Sequence, residues 1–127
     1  MDLLLDTHAF LWFITGDKQL PIRLVNQIVD SDNKCFVSIA SIWEIVIKLS
    51  IDKLDICGGF DTIEDFLDNN DVEILPINFS HTKRLLKLPH HHNDPFDRII
   101  ISQSIVEKIA VMTKDKFFKD YNIKIIW

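Results

Sequence analysis

Glycine, proline and cysteine are all scarce in this sequence of 127 residues, with three, four and two copies respectively. Disordered and low-complexity chains are rich in glycine and proline, so their scarcity argues against a long flexible region. Two cysteines are too few for a disulfide scaffold or a zinc framework, and they fit a reducing cytoplasm. No apolar run is long enough to cross a bilayer, so we expect no membrane association.

Positive charge is also in short supply, because the formal net charge is −5. This argues against a general nucleic-acid coat protein, whose surface would be basic. The charge is unevenly distributed, however. Residues 80–127 hold 9 Lys and Arg against 5 Asp and Glu, whereas residues 1–79 hold 5 against 14. The second part of the chain could therefore form one basic face, although a scatter of charges over the whole surface fits equally well.

The apolar residues recur at spacings that switch between those of strands and those of helices. Short apolar runs bounded by charges predict buried parallel strands, and a period near 3.6 predicts helices between them. The strands are expected at residues 2–5, 34–38, 72–76, 109–112 and 123–127. The helices are expected at residues 7–15, 21–30, from 38 or 41 to 49, 61–70, 78–87, 94–108 and 115–120. This alternation predicts one α/β domain over residues 1–127, a three-layer α/β/α sandwich around a parallel sheet of about five strands.

Four acidic residues stand where an open parallel sheet binds its ligands, beyond the carboxyl ends of the strands. Asp6 ends the first strand, and Asp115 follows the fourth strand by about three residues. Asp97 lies in the first turn of the helix before that fourth strand, and Glu44 lies in the first turns of the helix after the second strand. The sequence scatters these acids along the chain, but a parallel topology can gather them at one edge.

Carboxylates that meet in one pocket repel each other and raise each other's pKa, unless a cation lies between them. Oxygen ligands suit the hard divalent ions Mg²⁺ and Mn²⁺. Such an ion can activate water and neutralise a phosphate. The reaction class that follows is metal-assisted hydrolysis of a phosphodiester bond.

Each acid also has a purely structural interpretation. Asp6 and Asp115 could each cap the amino end of a helix, which is a common use of aspartate. Asp94 stands directly before a proline, which is the usual arrangement at the start of a helix. Glu44 could form an ion pair with Lys48 one helical turn further on. Taken singly, none of the four therefore establishes a catalytic site.

Four segments together resemble the acidic motifs of PIN-domain toxins of the VapC type. They are residues 3–12 (LLLDTHAFLW), 38–45 (SIASIWEI), 94–101 (DPFDRIII) and 113–115 (TKD). They occur in the order and at the spacing of that family, and together they cover nearly the whole chain. The resemblance implies a PIN-like fold and an endoribonuclease that depends on Mg²⁺ or Mn²⁺. It also implies a homodimer and a cognate antitoxin that blocks the active site.

The resemblance further implies which residues carry the chemistry. Asp6, Asp97 and Asp115 would bind the metal, and Glu44 would complete the acidic cluster. The third motif holds two acids, and the spacing to the small residues that follow favours Asp97, with Asp94 as a possible additional acid. Ser102 and Ser104 stand where the family usually has alanines, a departure that does not touch the chemistry.

Several other residues near the acids are candidates for lesser roles. Arg98, Lys114 and Lys116 flank the acids and are expected to contact RNA phosphates. Thr113 could orient a metal-bound water through its hydroxyl. The three histidines at 90–92 are expected to form a solvated loop, since adjacent histidines cannot easily aim at one ion.

Two other protein classes with acidic sites fit this sequence less well than a nuclease does. A haloacid-dehalogenase-like phosphatase needs a second Asp two residues after the first, where this sequence has His8. A receiver-type domain needs an acceptor Asp at the end of the third strand, where this sequence reaches Pro76. A PIN-fold module that binds without catalysis remains an alternative. Part of the helix pair at 7–30 could present an apolar surface to a second copy or to an antitoxin helix.

Overall fold

A five-stranded parallel sheet forms the centre of the computed structural model, which describes all of residues 1–127. The strands are β1 (Asp2–Leu5), β2 (Lys34–Ser38), β3 (Val72–Leu75), β4 (Ala110–Met112) and β5 (Ile125–Ile126). The helices are α1 (Thr7–Thr15), α2 (Ile22–Val29), α3 (Ile39–Ser50), α4 (Thr62–Asn69), α5 (Phe79–Leu86) and α6 (Pro95–Glu107), with a 3₁₀ helix at Lys116–Asp120. The predicted α/β class and the five parallel strands are confirmed.

Both faces of the sheet are buried, which explains why the strands are apolar without alternation. In β1, Leu3 and Leu5 point to one face and Leu4 to the other, and all three are fully buried. Leu3 and Leu5 belong to the larger core cluster with residues of α1 to α4. Leu4 belongs to a second cluster with residues of α6 and the 3₁₀ helix. The helices therefore form a layer on each side, as the three-layer prediction requires.

The strand order β3-β2-β1-β4-β5 places a topological switch point in the middle of the sheet. The chain builds outward from β1 through β2 to β3, and then returns to add β4 on the other side of β1. At such a point the connections leave the two central strands in opposite directions and open a crevice at their carboxyl ends. Asp6 and Thr113 directly follow β1 and β4, so they border this crevice.

Three strand boundaries differ from those predicted, each for a local reason. β3 ends at Leu75 because the next residue, Pro76, has no amide hydrogen for the ladder. β4 begins at Ala110 because the amide of Ile109 instead donates to Ser104 at the end of α6. β5 is only two residues long, since the amide of Ile123 is bonded to Tyr121 in the preceding turn. None of these shifts moves the carboxyl ends of β1 and β4.

No helix combines the length and the mean hydropathy that crossing a membrane would require. Apolar side chains are exposed on three α-helices, of which α2 exposes Ile22 and Val29. On α3, Trp43, Val46 and Ile47 are exposed and lie on one face. On α5, Phe79 and Leu86 are exposed and lie two turns apart. These faces are candidates for contact with another chain.

Candidate metal centre at the switch point

Asp6 holds two structural roles at once, one through each carboxylate oxygen. Its Oδ1 accepts a hydrogen bond of 2.7 Å from the amide of Ala9, which caps the amino end of α1. Its Oδ2 accepts a hydrogen bond of 2.5 Å from the hydroxyl of Thr113. Asp6 is almost fully buried, so these bonds replace water around a charged group. Asp6 therefore does cap a helix, as the structural interpretation proposed. The cap orients its carboxylate towards the crevice and leaves it at the candidate site.

Thr113 links two of the predicted acids. Its hydroxyl donates to Asp6 and accepts a hydrogen bond of 3.0 Å from the amide of Asp115. The single hydroxyl proton is thus committed to Asp6. Thr113 thus holds the carboxylate of Asp6 and the main chain of Asp115, while its orientation of a water molecule stays a prediction.

Asp115 and Asp94 both cap helices, as their structural interpretations proposed. Asp115 Oδ1 accepts from the amide of Phe117 at 2.9 Å, which leaves Oδ2 free of the cap. Asp94 Oδ1 accepts from the amides of Phe96 and Asp97 at 2.9 and 3.0 Å. Asp97, in the first turn of α6, has no capping bond and uses its carboxylate elsewhere. Among the two acids of this segment, Asp97 is the one that joins the cluster.

His92 is the member of the site that the sequence did not reveal. Its Nε2 lies 2.8 Å from Oδ2 of Asp97 and 3.9 Å from Oδ2 of Asp115. One ligand atom from each of these three residues lies within 4.8 Å of the others. The prediction of a solvated loop fits His90 and His91, which are exposed, but it is wrong for His92, which is partly buried against the two acids.

The loop that carries His92 is held from below by Arg98 and Tyr121. The Arg98 guanidinium donates to the carbonyl oxygens of Leu88, Pro89 and His92 at 2.9 to 3.3 Å. Tyr121 donates to the carbonyl of Pro89, and its oxygen accepts from the amide of His92 at 3.0 Å. The expectation that Arg98 contacts RNA conflicts with this position, because a buried guanidinium committed to three carbonyls is not free to reach a phosphate.

Glu44 stands apart from the cluster in its contacts. It pairs with Lys48 at 3.1 Å, which is the structural interpretation given above. Its side chain is nevertheless only 13% exposed, and it lies one turn after Ser41 on α3. The hydroxyl of Thr7 donates to that of Ser41 at 2.9 Å, so this face of α3 meets the start of α1, next to Asp6. Glu44 thus borders the site without a direct bond to the other acids.

A cleft of about 430 Å³ opens beside the acids. Asp6 and Asp115 line it together with Lys114, Lys116 and three aromatic rings, those of His8, Trp12 and Phe117. Lys114 and Lys116 are exposed, and the Lys114 ammonium lies 6.0 Å from the centre of the Trp12 ring. The cleft therefore joins negative, positive and aromatic groups, a combination that suits a phosphate ester carrying a planar base.

Burial raises the pKa of two acids of this cluster, Asp6 and Asp97. Desolvation raises the pKa of Asp6, against the opposing hydrogen bonds from Thr113 and Ala9. Desolvation raises the pKa of Asp97 to about 6; the hydrogen bond from His92 opposes this rise, and the negative charges of Asp94 and Asp6 add to it. Carboxyl groups with shifted pKa values that lie close together are typical of functional sites.

The donor set fits a divalent cation. Three ligand atoms already lie close together, and the Asp6 carboxylate stands at the same sheet edge. A cation among them would favour the charged form of Asp97, against the burial and the neighbouring negative charges that raise its pKa. Carboxylate oxygens suit Mg²⁺, Mn²⁺ and similar hard ions.

A second cleft of about 400 Å³ lies between α1 and α2. Trp12, Phe13, Ile22 and Val25 give it an apolar lining. Trp12 also lines the acidic cleft, so the two clefts are neighbours that share one side chain. The apolar surface expected on the helix pair at 7–30 therefore takes the form of a groove next to the acids.

Comparisons with known proteins agree on one family and one fold. The family model for the PIN domain matches residues 3–124. No curated protein matches the sequence significantly.

Solved structures resemble the chain over nearly its full length. VapBC2 from Rickettsia felis, bound to a DNA fragment from its promoter, has a chain 17% identical with a TM-score of 0.76, covering 99% of this chain and 98% of that one. VapBC-1 from nontypeable Haemophilus influenzae is 15% identical with a TM-score of 0.72, covering 99% and 97%. FitAcB from Neisseria gonorrhoeae is 14% identical with a TM-score of 0.67, covering 98% and 96%. At these identities the likeness shows the fold.

Replacing Asp97 with Asn is expected to stabilise the metal-free protein at pH 8. The pKa of Asp97 is raised from 3.8 to about 6, so the folded chain holds this proton more tightly than the unfolded chain. Stability therefore falls as the pH rises between these values, and the full penalty is present above pH 6. Asp97→Asn removes it, which should add about 1–3 kcal/mol to the free energy of unfolding at pH 8. Urea denaturation in EDTA measures this.

Most of that gain should be absent at pH 4, close to the ordinary pKa of 3.8, because the folded carboxyl is protonated there and the unfolded one is partly protonated. Asp68→Asn, at an exposed position of α4, is the matched control and should change stability little at either pH. A gain from Asp97→Asn that is equal at the two pH values would contradict the assigned cause.

Proposed function

The chain belongs to the PIN-domain family, and on this premise we propose that it is a metal-dependent endoribonuclease, the toxin of a toxin–antitoxin pair. The observation that carries the proposal is the meeting of Asp6, Asp97 and Asp115 at the switch point of the sheet. These acids come from the ends of two central strands and from α6. No stability argument requires three partly buried carboxylates at one place, since each would be better solvated apart.

In the proposed reaction Asp6, Asp97 and Asp115 hold Mg²⁺ or Mn²⁺, with Glu44 as an outer acidic group. Bound there, the ion would activate water and neutralise charge on the phosphate. Thr113 holds the carboxylate of Asp6 and the main-chain amide of Asp115 through its two hydrogen bonds.

The RNA strand would lie in the cleft beside the acids. Lys114 and Lys116 line this cleft and would contact phosphates, while Trp12 and Phe117 offer faces on which bases can stack. These groups supply a local positive and aromatic surface on a chain of net negative charge. Arg98 is left out of the proposal, since it supports the loop of His92.

Purified protein is expected to cleave structured RNA when Mn²⁺ or Mg²⁺ is present and to lose this activity in EDTA. Asp6→Asn and Asp97→Asn should each lower the cleavage rate by about 100-fold or more, because metal assistance contributes several kcal/mol to the barrier. Gel analysis of labelled RNA, with single- and double-stranded DNA alongside, measures rate and substrate class.

Asp68→Asn is again the matched control, and it should cleave like the wild type. Activity that survives EDTA, or that is equal in Asp97→Asn, would refute the metal-dependent nuclease. Metal-dependent cleavage of DNA alone would keep the nuclease and refute its RNA substrate. A PIN-fold module that only binds would show neither cleavage nor any effect of the Asn variants on RNA affinity.

Removing two lysines of the cleft should weaken RNA binding in a salt-dependent way. In the Asp97→Asn background, Lys114→Ala with Lys116→Ala should lower RNA affinity and reduce the slope of log affinity against log salt by about 1.4, at ~0.7 per phosphate contact on a single strand. Fluorescence anisotropy at several salt concentrations measures this. Lys53→Ala with Lys124→Ala, exposed and outside the cleft, is the matched control. An unchanged slope in the first pair would remove both lysines from the RNA path.

The partner of the toxin would be an antitoxin whose helix enters the groove between α1 and α2. The groove is apolar and shares Trp12 with the acidic cleft, so a segment that leaves it can extend over the acids. The solved VapBC complexes to which the fold is similar support such pairing. The exposed face of α3 at Trp43, Val46 and Ile47 is suited to a homodimer. Residues 1–127 would act as one domain in the cytoplasm, where Cys35 and Cys57 stay free.

Production of the wild-type chain without its antitoxin is expected to arrest the growth of a bacterial host. Asp6→Asn should abolish the arrest at equal protein level, because the toxicity would come from cleavage. Growth curves after induction, with immunoblots for protein level, measure this, and Asp68→Asn should remain toxic. Equal toxicity of Asp6→Asn would show that the arrest does not come from the proposed chemistry.

A further inference from the structure

The imidazole of His92 is held in one position by contacts on both sides. Its ring stacks on Phe117, with 5.4 Å between ring centres and 21° between planes. Its main chain is bonded to Arg98 and Tyr121, both buried, which fixes the loop beneath the ring. A histidine in an ordinary solvated loop needs none of these restraints. The ring is thus oriented with Nε2 towards the acids.

The distances around Nε2 match the spacing of ligands around one ion. Two ligand atoms of an octahedral ion at ~2.1 Å lie ~3 Å apart when adjacent and ~4 Å apart when opposite. Nε2 lies 2.8 Å from the Asp97 oxygen and 3.9 Å from the Asp115 oxygen. Both separations from Nε2 are therefore ones that a single ion can span, and the two carboxylate oxygens lie within 4.8 Å of each other.

We infer that His92 is a nitrogen ligand of the metal centre and acts with Asp97 and Asp115. The inference rests on the proposed function, because it takes the metal site of the nuclease as given. It changes the character of that site from an all-oxygen set to a mixed set of oxygen and nitrogen. Imidazole suits transition ions, whereas Mg²⁺ favours oxygen and water, so the site should prefer Mn²⁺ to Mg²⁺.

The competing explanation is that His92 only balances the charge of two carboxylates through a hydrogen bond. Both explanations predict that removing the imidazole disturbs the acids, so loss of activity does not separate them. Only direct coordination places the nitrogen nucleus within bonding distance of the ion. The test must therefore detect that nucleus.

Electron spin echo envelope modulation of Mn²⁺ bound to the purified chain provides this test. The wild type should show ¹⁴N modulation, and selective labelling with ¹⁵N-histidine should change it without any substitution. His92→Ala should lose the modulation, while His90→Ala, exposed in the same loop, should keep it. Calorimetry should show Mn²⁺ affinity lowered about 10-fold or more by His92→Ala, with a smaller effect on Mg²⁺.

The outcomes separate this inference from the proposed function. Bound Mn²⁺ without ¹⁴N modulation in the wild type, or with modulation that persists in His92→Ala, overturns the nitrogen ligand while metal-dependent RNA cleavage can still be observed. Histidine coordination in a chain that cleaves no RNA supports the ligand and overturns the nuclease. A chain that binds no Mn²⁺ overturns both.

Discussion

The hydrogen bond from Thr113 to Asp6 joins two residues that are 107 positions apart in the sequence. It ties the carboxyl end of β1 to that of β4, the neighbouring strands on either side of the switch point. Because the bond is buried, it satisfies an acid that would otherwise be costly to place there. The position of Asp115 depends on it as well, since the Thr113 oxygen also accepts a hydrogen bond from the amide of Asp115. The site therefore forms because the strand order places β1 next to β4.

Helix capping and site formation use the same carboxylates and do not compete. In Asp6 and Asp115, one carboxylate oxygen accepts a hydrogen bond from the first turn of a helix. The other oxygen faces the crevice. A cap fixes the rotamer of its side chain, and so it aims the second oxygen without further contacts. The capping interpretation of these residues is therefore correct, and it is compatible with the proposed metal site.

The sequence predicted the parts of the site that follow from strand ends. Asp6 and Asp115 could be placed because each follows an apolar strand, and Asp97 because it opens a helix with a clear start. His92 could not, since its position depends on bonds from Arg98 and Tyr121, which lie 6 and 29 residues away. The burial of Arg98 was missed for the same reason, because the sequence does not distinguish a solvated arginine from a buried one. The strand order could not be predicted either, because apolar runs do not indicate which strands are neighbours.

The cluster lies where the chain surrounds negative charge with its few positive groups. Glu44 pairs with Lys48, and the cleft beside Asp6 is lined by Lys114 and Lys116. These groups offset the acids only in part, since the pKa of Asp97 is still raised to about 6. In the proposed function, a bound divalent ion would neutralise the negative charge that remains. The ion and the two lysines would together offset the acids, so that a phosphate could approach at one place on an acidic chain. Net charge, an average over the whole sequence, therefore says little about the partner of such a site.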